Sequence, residues 1–263
     1  MSRHPLTAVH LKLSRAREHI KTLDHELRSF FDVDAYPLER RFDEDTGWHS
    51  YHLRLLAKDP PEKFAVVAGE IVGHLRSSLD LLVYQLAILG GGRPGRTRTQ
   101  FPIFTDHVEY TKTNRRGGSH RTRMLRGVSA RHQAIIDGYQ PYQRVHPDRD
   151  PLAVLKAFRD AYEHRDVAPA VLVVERPSAT FKERIQGTVR GADFRQAPVR
   201  APLADDAEIL GFKLRPDPKA KVDVEIETTF DIGFEPTHTT MSDLDDIRLY
   251  VERIVGRFEP DFP

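Results

Sequence analysis

The chain predicts an α+β fold: a four-helix bundle core with an inserted β-hairpin, and an antiparallel sheet in the C-terminal half. Three observations carry this. Apolar residues recur at helical steps near both ends of the chain and twice between. An aromatic-rich segment at 35–57 surrounds a turn. Residues 168–236 alternate with the period of a strand.

The first helix is expected over about 7–31, where Val9, Leu13, Ala16, Ile20, Leu23, Leu27 and Phe30 form one stripe. Lys12, Arg15, Glu18, Lys21, Asp24 and Arg28 lie between them, as a solvated face requires. Tyr36, Leu38, Phe42, Trp48, Tyr51 and Leu53 then flank DEDTG at 43–47, which predicts a hairpin. Pro60 and Pro61 preset the next helix, about 62–89, with Phe64, Val67, Ile71, Leu75, Leu79, Leu82 and Leu86 on its inner face. Gly90, Gly91 and Gly92 end it, because glycine accepts the left-handed backbone that closes a helix. Residues 93–131 lack periodicity and read as loop and short helix, followed by a short helix to Gly138.

Asp150 followed by Pro151 is a helix start, a carboxylate cap before a proline at the first helical position. That third long helix runs over about 151–165, with Leu152, Leu155, Phe158 and Tyr162 inward. Val171 to Val174, then Val222, Val224 and Ile226, then Phe230, Ile232 and Phe234 read as strands. The last helix, 242–258, opens with Ser242 and Asp245 at capping-box spacing. Core-type faces at both ends argue for a single domain, 1–263.

Hydrophobic residues make up 39% and charged residues 30%, enough for a core and too much for a disordered chain. Cysteine is absent, which fits a reducing compartment and removes thiolate chemistry. The N-terminal stretch carries charge every few positions and none of the apolar run a signal peptide needs. The apolar run Leu75–Leu89 is broken by Arg76 and Asp80 and is too short to span a bilayer. The expectation is a cytoplasmic protein with no membrane partner.

Net charge is +1, but its distribution is uneven. Residues 93–131 hold ten Lys or Arg, among them Arg115, Arg116, Arg121 and Arg123, against two acids, Asp106 and Glu109. The rest of the chain holds 30 basic against 37 acidic residues. A local excess of this size can follow a phosphate backbone, whose condensed counterions it displaces. A plainer reading is a solvated, Arg-rich loop.

Two constellations could carry chemistry. In GEIVGHLRSSLDLLVYQL, Glu70 and His74 share one helical line, and Arg76 and Asp80 pair at i,i+4. Glu70 and His74 could reach one ion, but bundle metal sites draw carboxylates from several helices, and no others are identifiable. No metal and no cofactor are expected. The second constellation is AFRDAYEHRD, residues 157–166. Histidine titrates near neutrality and can move a proton, while arginine can clamp a phosphate bidentately. On a straight helix Arg159 and His164 leave the axis about 140° apart, so they converge only if the helix distorts. Otherwise Arg159 bridges to Glu163, and His164 and Arg165 complement the helix dipole.

The 159–164 spacing resembles the RxxxxH signature of HEPN domains, with Asp160 as the polar residue that often follows the arginine. The resemblance implies a helical bundle, a homodimer with a shared cleft, and metal-independent RNA cleavage with Arg159 and His164 catalytic. Arg76, Arg115, Arg116, Arg121, Arg123 and Arg165 would then hold RNA. A longer stretch, most of 60–170, is similar to an uncharacterised actinobacterial family. Gly69, Glu70, His74, Leu75, Arg76, Ser77, Leu79, Asp80, FPIF at 101–104, QPY at 140–142, His164 and Arg165 carry this second likeness. It implies a shared fold and no activity. The functional expectation is a HEPN-like RNA-binding protein and metal-independent endoribonuclease, with a non-enzymatic helical interaction module as the alternative.

Overall fold

The computed structural model describes residues 3–31, 36–55, 60–94, 99–115, 117–164, 170–186, 189–216, 221–235 and 237–263. Among them the chain is a mixed α+β structure with antiparallel sheets. It divides into two compact units: residues 1–24, 63–168 and 241–263 form the first, and residues 25–62 and 169–240 the second.

The long helices lie where the apolar stripes place them: α1 (Thr7–Phe31), α2 (Glu62–Leu89), α6 (Pro151–His164) and α7 (Met241–Phe258). Three shorter helices, α3 (His107–Thr111), α4 (His120–Met124) and α5 (Ala130–Gly138), occupy the stretch between α2 and α6. The first unit's core draws on all four long helices, with Leu13, Ile71, Leu75, Leu82, Leu155, Phe158, Val251 and Phe258 buried. Side chains tie these helices in pairs. Arg17 of α1 donates to Glu252 of α7 at 2.8 Å, His19 of α1 lies against Glu70 and His74 of α2, and Asp80 of α2 faces Arg159 of α6.

Helix ends follow local chemistry. Asp150 caps α6: its carboxylate accepts the Leu152 amide at 2.9 Å and Arg144 Nε at 3.2 Å. The end of α2 is a Schellman motif, in which the Gly92 amide reaches Ala87 O and the Gly91 amide reaches Ile88 O, with Gly91 at φ +76°. The flanking glycines have a different reason. A Cβ on Gly90 would overlap the Gly127 carbonyl oxygen, and one on Gly92 would stand 2.6 Å from Gly127 Cα. One expected cap is displaced. α7 begins at Met241, so Ser242 lies inside the helix, and Asp245 takes the Arg248 guanidinium at 2.7 Å.

In the second unit, β1 (Leu38–Phe42) and β2 (His49–Leu53) form the expected hairpin, whose turn is held by the Asp43 carboxylate accepting the Asp45 and Thr46 amides. β2 also pairs antiparallel with β5 (Glu208–Pro216), and β5 with β4 (Val189–Gln196), giving the order β1-β2-β5-β4. β3 (Ala170–Gln186) and β6 (Lys221–Phe234) form a two-stranded antiparallel sheet. Val224 and Ile226 of β6 pack on Tyr51, Leu210, Phe212 and Leu214, so an apolar interface joins the two sheets.

Candidate functional site

All candidate residues that the structure describes belong to the first unit, and they fall at three places. The first is Asp80 of α2. One carboxylate oxygen accepts Arg76 Nη2 at 2.9 Å and the Phe101 amide at 2.9 Å. The other oxygen lies 3.8 Å from Arg159 Nη1. Arg76 is nearly buried, its side chain 9% exposed, whereas the Arg159 side chain is 29% exposed. The i,i+4 pair read from the sequence is present, and an arginine from α6 joins it. Local spacing offers Glu163 as the partner of Arg159, and the Glu163 side chain lies outside the described residues. Asp80 is a partner that spacing does not reveal.

Asp80 also anchors FPIF. Gln140, fully buried, accepts the Phe104 amide through Oε1 at 3.2 Å and donates from Nε2 to Pro102 O at 2.7 Å. The Tyr142 amide donates to Phe104 O at 3.2 Å. LRSxLD, FPIF and QPY therefore hold one another: a carboxylate and a buried amide satisfy a segment outside any helix or strand. Gly69, in the same signature, lies under Tyr162 of α6, and a Cβ there would overlap that ring.

The expected catalytic pair is described only in part. α6 is continuous from Pro151 through His164, so the backbone does not distort before the histidine. The His164 side chain, like Arg116 and Arg165 as a whole, lies outside the described residues. Asp160 pairs with Lys156 at 3.2 Å.

The second place is the contact of α1 with α2. His19 and His74 stack with ring centroids 5.5 Å apart and planes 10° from parallel, and His19 Nε2 lies 3.7 Å from Glu70 Oε2. Burial, then the positive charges of Lys12, His19 and Arg15, lowers the His74 pKa, and Glu70 opposes the shift. Sequence spacing misses His19, which belongs to a different helix and to no motif. Among the described residues no group of three His, Asp or Glu side chains is placed to hold a metal ion.

The third place is the basic segment. Arg121 is committed to the fold: its guanidinium makes three hydrogen bonds of 2.8–3.2 Å to Asp137, which also accepts the Tyr110 hydroxyl at 2.9 Å. The hydrogen bond to Asp137 raises the Arg121 pKa, and burial followed by the Asp137 charge raises that of Tyr110. Arg123 is exposed and contacts His120 Nδ1 at 2.8 Å, and Lys112, Arg115 and Arg126 are exposed. The segment is thus split between Arg121 and Arg131, which pair with Asp137 and Asp261, and several basic residues that face solvent.

Among the described residues no helix is long and apolar enough to cross a membrane. No protein-family model matches this chain, and neither does any curated protein or any solved structure.

Proposed function

We propose that the chain is a HEPN-like RNA-binding protein that cleaves RNA without metal, working in the cytoplasm as a homodimer. The observation that carries this reading is the convergence of Arg76 and Arg159, from two helices, on the single carboxylate of Asp80. Arg76 and Arg159 bring two guanidiniums to the carboxylate of Asp80 beside α6. Arg159 has the longer contact and the greater exposure, so it is the one that can turn to a phosphate. In this reading the ribose 2′-hydroxyl attacks the adjacent phosphorus and gives its proton to His164. The protonated His164 then gives that proton to the departing 5′-oxygen as the P–O5′ bond breaks, and the product ends in a 2′,3′-cyclic phosphate. Positions 159 and 164 are five apart on one continuous helix, a spacing that turns about 140° around the axis. The shared cleft then sets Arg159 of one protomer against His164 of the second.

A second reading, a non-enzymatic interaction module, draws on the same helix continuity and on the structural engagement of Arg121 with Asp137. RNA retention separates the two. The HEPN-like reading expects wild-type protein to bind single-stranded RNA at low salt, with a logarithmic salt slope of about −0.7 per phosphate contacted. Replacing Lys112, Arg115, Arg123 and Arg126 with Glu should abolish retention, and Arg121 is left in place because it holds Asp137. Wild-type protein that ignores RNA at low salt supports the module instead.

A further inference from the structure

A cleft in the first unit is lined by three acids and one base, unlike the basic segment that supplies part of it. Its volume is about 340 Å³, and it is lined by the end of FPIF with Thr105, by α3, by the turn before α6 and by α6 itself. That size lies near the lower end of small-molecule sites, which span roughly 300–1,000 Å³. The apolar lining is Ile103 and Ala153, both buried, with Phe104 half-buried and Ala157 exposed. The walls carry Glu109, Asp148 and Asp160, against one cation, Lys156.

Lys156 is already paired with Asp160 at 3.2 Å. Glu109 and Asp148 have no ion-pair partner among the described residues, so the cleft holds two uncompensated carboxylates beside the Phe104 side chain. Glu109 is one of only two acids within the Arg-rich stretch 93–131. The aromatic wall is fixed. Gln140 and Tyr142 hydrogen-bond the Phe104 backbone, and the Phe104 ring stands 5.0 Å from Tyr110 and 5.3 Å from His120. Apolar lining, an aromatic side chain and exposed carboxylates are the components that recognise an ammonium group on a short apolar body.

We propose that this cleft binds a small organic amine in its protonated form. The apolar body lies on Ile103, Ala153 and Phe104, and the ammonium faces Glu109 and Asp148. The site is independent of the RNA reading, and its negative charge makes it unsuited to phosphate.

Calorimetric titration of the full chain with 2-phenylethylammonium chloride tests the proposal, with 2-phenylethanol as the uncharged counterpart. The amine should bind one to one and the alcohol should not. Glu109→Gln with Asp148→Asn should weaken the amine by roughly tenfold or more, since each removes a charge-assisted contact. Lys156→Gln should strengthen it, because it deletes the cation that lines the cleft. These side chains are exposed, and the two sets of variants move affinity in opposite directions, so general damage to the fold cannot imitate the pattern. Equal binding of amine and alcohol, no binding of the amine, or an affinity that all these substitutions leave unchanged overturns the proposal.

Discussion

Asp80 of α2 accepts the backbone amide of Phe101 at 2.9 Å, joining the long helix to a segment that has no regular structure. The same carboxylate balances Arg76, whose side chain is almost out of solvent. Removing it therefore takes a charged partner from a nearly buried guanidinium and an acceptor from an amide together. Asp80→Ala should destabilise the protein by about 3 kcal/mol. Chemical denaturation should show a lower midpoint with an unchanged slope. A loss below about 0.5 kcal/mol, the size typical of an ordinary surface substitution, would show that Asp80 does not anchor FPIF.

Gly69 admits the ring of Tyr162, and a methyl group there would occupy the ring's position. Gly69→Ala should cost about 1–3 kcal/mol through overpacking. In a Tyr162→Ala background the same substitution should cost less, because the obstructing ring is gone. A double-mutant cycle measures this coupling, and strictly additive effects would contradict the close approach of α2 and α6.

Gln140 satisfies Phe104 N–H and Pro102 C=O from a fully buried position. Gln140→Leu keeps much of the volume but leaves those groups without their partner, at about 1–3 kcal/mol. Hydrogen exchange at the Phe104 amide should accelerate. Unchanged protection there would mean that the amide is held by something else.

The stacked His19 and His74 predict a dependence on pH. The folded-state pKa of His74 lies below its unfolded value, so the unfolded chain takes up the proton more readily. Its contribution to stability is full above the unfolded value of about 6.5, and it is lost as pH falls through the lower folded-state value. Denaturation midpoints should drop across that window in the wild type and drop less in His74→Gln. Identical pH profiles for the two proteins would remove His74 as a cause.

The long helices are legible in the sequence because each carries its own apolar stripe, and the DEDTG turn marks the hairpin equally well. The pairing of β2 with β5 is not legible, since residues about 160 positions apart leave no periodic trace of one another. The same limit applies to side chains. The Arg76–Asp80 pair can be read from one helical turn, but Asp80 with Arg159, Arg121 with Asp137 and His19 with His74 each join different helices. Gly90 and Gly92 show a related gap. A cap explains why a helix ends at such residues, but only tertiary packing shows that the Gly127 backbone needs their bare Cα atoms.

Metal-independent cleavage is tested most directly by incubating purified protein with single-stranded RNA in excess EDTA and identifying the product ends. The HEPN-like account predicts fragments ending in 2′,3′-cyclic phosphate. His164→Ala should slow their formation by roughly 10²–10⁴-fold and Arg159→Ala by about 10²-fold or more, with RNA binding retained in the histidine variant. RNA left intact by the wild type, or cleaved equally well by His164→Ala, would contradict the account and leave the interaction module standing.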